Sequence, residues 1–107
     1  MFSEEFEKCY FDLFPQCILI LDCEGTIIFV NNSLKEWLGY EKEDVIGKST
    51  FQIPMIKSSC FPEMKKNFQL GLNGEEIQSY EIELIKESGE PAYAEVTGTV
   101  IPEKRPY

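Results

Sequence analysis

The chain has 107 residues, enough for one domain with a single hydrophobic core but small enough that a cofactor or partner would matter to its stability. Nineteen acidic residues against ten basic ones give a formal charge of -9, and the basic residues are scattered singly or in pairs, which argues against nucleic acid as a partner. The apolar runs are far shorter than the roughly 20 residues of a membrane helix, and the start MFSEEFEK lacks the basic and apolar layout of a signal peptide, so a cytoplasmic protein without membrane insertion is expected.

At the N-terminus, Ser3 followed by Glu4 and Glu5 reads as a helix cap with acids in the first turn. Phe2, Phe6, Cys9, Tyr10, Leu13 and Phe14 then recur at helical spacing until Pro15 stops the winding. The spacing predicts an amphipathic helix over 1-14, ahead of a domain core over 15-107.

Residues 17-22 and 26-31 are rich in Ile, Leu, Phe and Val and flank Cys23-Glu24-Gly25, which predicts a β-hairpin with glycine at a positive φ. Because both strands are apolar in consecutive positions, they are expected to be covered on both faces. Asn31 is the expected cap of a short helix that presents Leu34, Trp37 and Leu38 and ends at Gly39. A second short helical pattern runs from Glu41 to Ile46 and ends at Gly47.

Residues 49-62 are irregular, yet they carry Phe51, Ile53, Met55, Ile56 and Phe61, apolar content that suits a loop folded over a core or pocket. Pro62 fits the first turn of a third helix, with Met64, Phe68 and Leu72 spaced by four and Gly74 as its terminator. Gly71 weakens that helix by about 1 kcal/mol relative to alanine. Tyr80, Ile82 and Leu84 alternate with glutamates, as do Ala94, Val96, Gly98 and Val100 with polar residues, so a second hairpin turns at Ser88-Gly89.

Chemistry is sparse. The chain has no histidine, and Cys9, Cys17, Cys23 and Cys60 form no CxxC pair, so no zinc site of the usual kind is expected. Along one strand Cys17 and Cys23 would stand ~20 Å apart, too far to bridge. Reduced thiols acting as small hydrophobes are the expectation, with a redox role for Cys23 or Cys60 as the alternative. A histidine-dependent triad is excluded by composition, and pairs such as Glu41/Asp44 or Glu81/Glu83 read as solvated faces, so no catalytic residue is assigned.

Helix, hairpin, three helices and hairpin, in that order, together with particular residues, resemble the PAS sensory domain family. ILILDCEGTIIFVN is similar to its first hairpin and NNSLKEWLGYEKEDVIGK to its helical segment. FQLGLNGE is similar to the end of its long helix, and YEIELIKESGEPAYAEVTGTVI to its third and fourth strands. The resemblance implies an α+β fold: a five-stranded antiparallel sheet with short helices on one face, enclosing a pocket or relaying signals through dimers. The family's fifth, central strand would begin where PEKRPY stands, so that strand is expected to be missing: through truncation first of all, or because another chain supplies it, or with the first hairpin closing directly onto the second.

The resemblance further implies a sensory or relay module of a signal-transduction protein, such as a sensor histidine kinase of a two-component system or a cyclase, without enzymatic activity of its own. A ligand would be walled by Ile28, Val30, Trp37, Val45, Phe51, Ile53, Met55, Met64, Phe68, Tyr80, Ile82 and Val96, with Ser49, Gln52 and Asn67 as polar contacts. All of these also make sense as plain core. Haem is disfavoured because family members hold it through a histidine. Flavin photochemistry is disfavoured because the loop reads STFQIPM in place of an N-C-R-F-type motif; non-covalent flavin stays as an alternative. Partners implied are an effector domain and a second copy of the chain, with Phe2, Phe6, Tyr10 and Leu13 as the dimer interface.

Overall fold

A computed structural model of the chain describes residues 16-98. The expected helix over 1-14, with Phe2, Phe6, Tyr10 and Leu13, lies outside the described residues, as does the segment 99-107 in which a fifth strand would begin.

The first hairpin pairs β1 (Leu19–Leu21) with β2 (Ile27–Val30), antiparallel. Its turn is tied by Asp22, whose Oδ1 accepts the backbone N–H groups of Glu24 at 2.9 Å and Thr26 at 3.0 Å. This is the local bonding that makes aspartate a turn residue. Gly25 closes the turn at φ +86°, a left-handed conformation that glycine adopts without a Cβ penalty.

The register slips between Ile20 and Leu21: Leu19 faces Val30 and Ile20 faces Phe29, but Leu21 faces Ile27. Ile28 is therefore the extra residue of a β-bulge, and the bulge allows Ile27 and Val30 to share one interior although simple alternation would send them to opposite faces. Ile28 is 55% exposed, so full coverage of both faces does not hold for β2.

The N-cap of α1 (Ser33–Leu38) is Asn32, one residue later than expected, and the Asn32 side chain makes no cap hydrogen bond. The wholly buried Asn31 side chain instead ties down the chain entering β1. Its Oδ1 accepts the N–H of Ile18 at 2.9 Å, and its Nδ2 donates to the carbonyl of Gln16 at 2.8 Å. Gly39 ends α1 at φ +88°.

The second short helix contracts to a single 3-10 turn, Lys42–Asp44, closed by a reciprocal capping box between Glu41 and Asp44. A second such turn, Ser58–Cys60, leads into α2 (Phe61–Leu72), with Pro62 in its first turn as expected. The chain leaves α2 through Asn73 and a left-handed Gly74.

The second hairpin pairs β3 (Tyr80–Ile85) with β4 (Pro91–Val96) in uninterrupted antiparallel register. Ile82, Leu84 and Ala92 face the interior, while Glu81, Tyr93 and Glu95 face solvent, the alternation that the sequence shows. β4 begins at Pro91, three residues before the first of the alternating positions that predicted it.

The segment 47-57 straps the two hairpins together. At one end Gly47 donates to Ile27 at 2.7 Å, Ile27 to Lys48 at 2.9 Å and Thr50 to Gly25 at 2.9 Å, along the edge of β2 that β1 leaves open. At the other end Ile85 donates to Met55 at 2.8 Å and Lys57 to Glu83 at 3.0 Å, along the outer edge of β3. Between these ends Ile53, Met55 and Ile56 turn inward to a core shared with Ile27, Val30, Leu34, Leu38, Val45, Met64, Ile82, Leu84 and Ala92. Among the described residues β1 pairs only with β2 and β4 only with β3.

Candidate functional site

The residues expected to wall a pocket divide into three groups. Val30, Val45, Ile53, Met55, Met64 and Ile82 meet inside the one hydrophobic cluster, and Phe51, Tyr80 and Val96 pack against it half-buried. Phe68 and Asn67 are half-buried on α2. Ile28 and Trp37 do not join them. The bulge turns Ile28 outward, and Trp37 lies on the solvent side of α1, 39% exposed, while Leu34 and Leu38 take the inner side. Of the expected polar contacts, Gln52 is exposed, and Ser49 spends its hydroxyl as acceptor for the N–H of Phe51 at 3.2 Å.

Phe51 is the centre of the strap. Its ring stands edge-on to Phe68, with centroids 5.3 Å apart and planes at 67°, the arrangement favoured by aromatic quadrupoles. Lys65 Nζ sits 6.0 Å from the same ring. On its other side the ring lies over Gly25, where a Cβ would fall 3.1 Å from Cδ2 and nearer still to Cε2. The absence of a side chain at Gly25 thus serves the turn and also leaves space for Phe51.

Burial pushes the Tyr80 phenol above its ordinary pKa, while the neighbouring Asn67 pulls the other way and Glu63 and Cys60 add to the rise. Asn67, expected as a ligand contact, thus lies beside the Tyr80 phenol. Burial alone pushes the Cys17 thiol up to about 11, so Cys17 is a small core residue and a poor nucleophile at neutral pH.

Two residues that do structural work are not evident from spacing. Tyr40 donates its hydroxyl to the carbonyl of Ile85 at 2.6 Å. Cys60 Sγ accepts the N–H of Glu83 at 3.5 Å, filling a place on the β3 edge that a strand partner would otherwise take. Neither lies on a periodic apolar stripe, and only their position against β3 gives them a role.

Two clefts open to solvent flank this core. One, of about 260 Å³, is lined by Asn31, Asn32, Lys35, Glu41, Lys42 and Glu43, and across it Lys35 pairs with Glu41 at 2.7 Å. The other, of about 330 Å³, is lined by Tyr40, Asp44, Val45, Lys48, Ile53, Pro54, Met55 and Glu87. Of the expected wall, only Val45, Ile53 and Met55 reach either of these clefts. Among the described residues no three His, Cys, Asp or Glu side chains gather as a metal site, and no helix is long and apolar enough to cross a membrane.

Several solved structures share this fold. A PAS domain from Colwellia psychrerythraea is 20% identical with a TM-score of 0.70, over 85% of this chain and 75% of its own. One from Desulfitobacterium hafniense is 22% identical with a TM-score of 0.64, over 82% and 80%. The LOV domain of a blue-light activated histidine kinase from Erythrobacter litoralis is 21% identical with a TM-score of 0.58, over 77% and 76%. No curated protein matches the chain. The PAS domain family model matches residues 15-106, nearly the whole of it, and the chain belongs to that family, whose members are generally sensory and signalling modules.

Proposed function

We propose that this domain is a cytoplasmic relay module of a signal-transduction protein, carrying no chemistry of its own and passing changes in a packed interior to an effector domain or a second copy of the chain. The observation that supports this reading most is that the expected pocket wall is engaged with itself. Phe51 packs edge-on against Phe68, and Val30, Ile53, Met55, Met64 and Ile82 occupy one continuous core. A strap bonded to both hairpins is a means of making a displacement at one felt at the other, because packed interiors shift between discrete arrangements rather than deforming smoothly.

Native mass spectrometry of the purified chain, with its absorption spectrum, tests the reading. The expected result is a mass equal to the polypeptide, as monomer or dimer, with no flavin or haem absorbance. A stoichiometric flavin, haem or other small molecule in the native ion would overturn it. The dimer expected through Phe2, Phe6, Tyr10 and Leu13 is checked by sedimentation of the chain with and without residues 1-14, where an unchanged sedimentation coefficient would remove that helix as the interface.

A further inference from the structure

α2 closes on Asn73-Gly74, a pair that is both a helix stop and a reactive dipeptide. Gly74 takes φ +85°, with open space where a Cβ would stand. Its N–H donates to the Gly71 carbonyl at 3.0 Å, and the N–H of Glu75 donates to Leu70 at 3.0 Å, the paired bonds of a glycine-closed helix end. Asn73 stands just before it, exposed, at ψ 4°. Because glycine has no side chain, its backbone nitrogen is also the least hindered internal nucleophile that the asparagine amide can meet.

We propose that Asn73-Gly74 is a site of self-modification, an intramolecular deamidation that the closed end of α2 holds back. In the reaction the Gly74 backbone nitrogen gives up its proton to solvent base and attacks Asn73 Cγ. The new N–C bond closes a succinimide ring, the bond from Cγ to the side-chain nitrogen breaks, and that nitrogen leaves as ammonia with a proton from water. Water then opens the ring at either carbonyl, leaving aspartate or isoaspartate at position 73. Water is the only co-reactant.

Two features of the folded end oppose the first step. The Gly74 N–H is engaged with Gly71, so its proton is not free to leave. Ring closure also requires the Gly74 nitrogen to eclipse Asn73 Cβ about the Cα–C bond, whereas at ψ 4° it eclipses the Asn73 backbone nitrogen instead. The reaction therefore proceeds through opening of the last turn, a local unfolding that helix ends undergo well below the cost of global unfolding. Its products oppose reclosure. α2 has no basic residue in its last turn and is followed by Glu75 and Glu76, so a new carboxylate meets the negative end of the helix dipole uncompensated. α2 carries Met64 in the core and Phe68 against Phe51, so the change leaves a covalent record of opening in an element on which the interior depends. The proposal goes beyond the relay reading and does not rest on it.

The test incubates the chain in mildly alkaline buffer, folded and in concentrated urea, and follows tryptic peptide 67-86 by mass spectrometry for exchange of the amide NH2 for OH and for isoaspartate. The expected result is conversion placed at Asn73 by fragment ions, about tenfold slower or more in the folded chain than in urea. Leu72→Gly, at an exposed position, weakens the last turn; it should speed conversion of the folded chain about three- to fivefold and leave the rate in urea unchanged. Equal rates in the two states, no conversion in urea, or an unaltered folded rate in Leu72→Gly would each overturn the assignment.

Discussion

The hydroxyl of Tyr40 donates to the backbone carbonyl of Ile85 at 2.6 Å, joining the chain just past α1 to the last residue of β3. Ile85 pairs with Pro91, next to the Lys86 N–H that bonds Glu90 at 2.8 Å. Hydrogen-bonded and non-bonded pairs alternate along an antiparallel ladder, so Ile85 turns both its backbone groups away from β4. Its N–H finds Met55 and its carbonyl finds Tyr40. Pro91, which has no N–H to give, therefore costs the ladder nothing.

Tyr40→Phe keeps the ring and removes the donor. The expected loss is ~1 kcal/mol, read as a lower denaturant midpoint at unchanged slope. An unchanged midpoint would mean that water satisfies the Ile85 carbonyl as well as the phenol does.

Stability should fall at alkaline pH. Burial raises the Cys17 thiol to about 11 and raises Tyr80 and Tyr40 above their ordinary values, so in each case folding favours the protonated group. The stabilisation is complete below the unfolded pKa, 9.0 for the thiol, and is lost as pH rises through the folded value of about 11. For Cys17 the loss should not exceed about 2 kcal/mol, since part of the side chain reaches solvent. Thermal unfolding followed across this window should show the decline, and Cys17→Ala should flatten its early part. A profile equally steep in the variant would assign the effect to the tyrosines.

Gly25 and Gly47 have nearly the same backbone, φ +86° and φ +87°, but different surroundings. A Cβ at Gly47 meets nothing within 4 Å, whereas one at Gly25 meets the Phe51 ring. Gly47→Ala should therefore lose only the ~1-2 kcal/mol of left-handed strain. Gly25→Ala should lose that and at least ~1 kcal/mol more for displacing a packed aromatic ring. Combined with Phe51→Ala, Gly25→Ala should return to the smaller loss; additive losses would show that the ring and the glycine do not compete for space.

The bulge gives a sharp ranking within three residues. Ile27→Ala should lose ~2-5 kcal/mol through cavity formation, while Ile28→Ala, on the exposed bulge residue, should stay within ~0.5 kcal/mol. Equal losses at the two positions would mean that the register runs straight through β2 in solution.

That ranking is where the sequence was least legible. Consecutive apolar residues led to the expectation that both faces of this strand are covered, with Ile28 and Val30 both in the wall, and a bulge has no composition of its own in a run such as IIFV. Trp37 is the other departure: with Leu34 and Leu38 it spans only about 100° of the helix, the width of an ordinary apolar stripe, yet its ring is 39% exposed, which spacing alone does not reveal. Where punctuation carried the signal, the reading held: Gly39 and Gly74 follow their helices in left-handed conformations, Pro62 opens α2, and Ser88-Gly89 turns the second hairpin. The strap was legible as apolar content within a loop, but its bonding to β2 and β3 was not, because backbone hydrogen bonds leave no mark on residue type. The cleft lined by Tyr40, Asp44 and Glu87 has no motif either, because only the fold brings those residues together.

Glu81 and Glu95 stand directly opposite each other on the solvent face of the second hairpin. Theirs is a non-bonded pair, like Ile85 and Pro91, and in such pairs the side chains approach most closely. The neighbouring Glu83 has relief from Lys57, at 3.4 Å, and faces Tyr93 across the ladder, a tyrosine that is 68% exposed. Glu95→Lys should therefore replace a repulsion with an attraction and raise stability by ~0.5-1 kcal/mol in dilute buffer. In about 1 M salt the gain should shrink, because exposed charges are screened over a few ångströms there. Glu95→Gln, which removes the repulsion without adding attraction, should fall between the two. A gain that survives high salt, or a larger gain for glutamine than for lysine, would show that side-chain packing and not charge governs this pair.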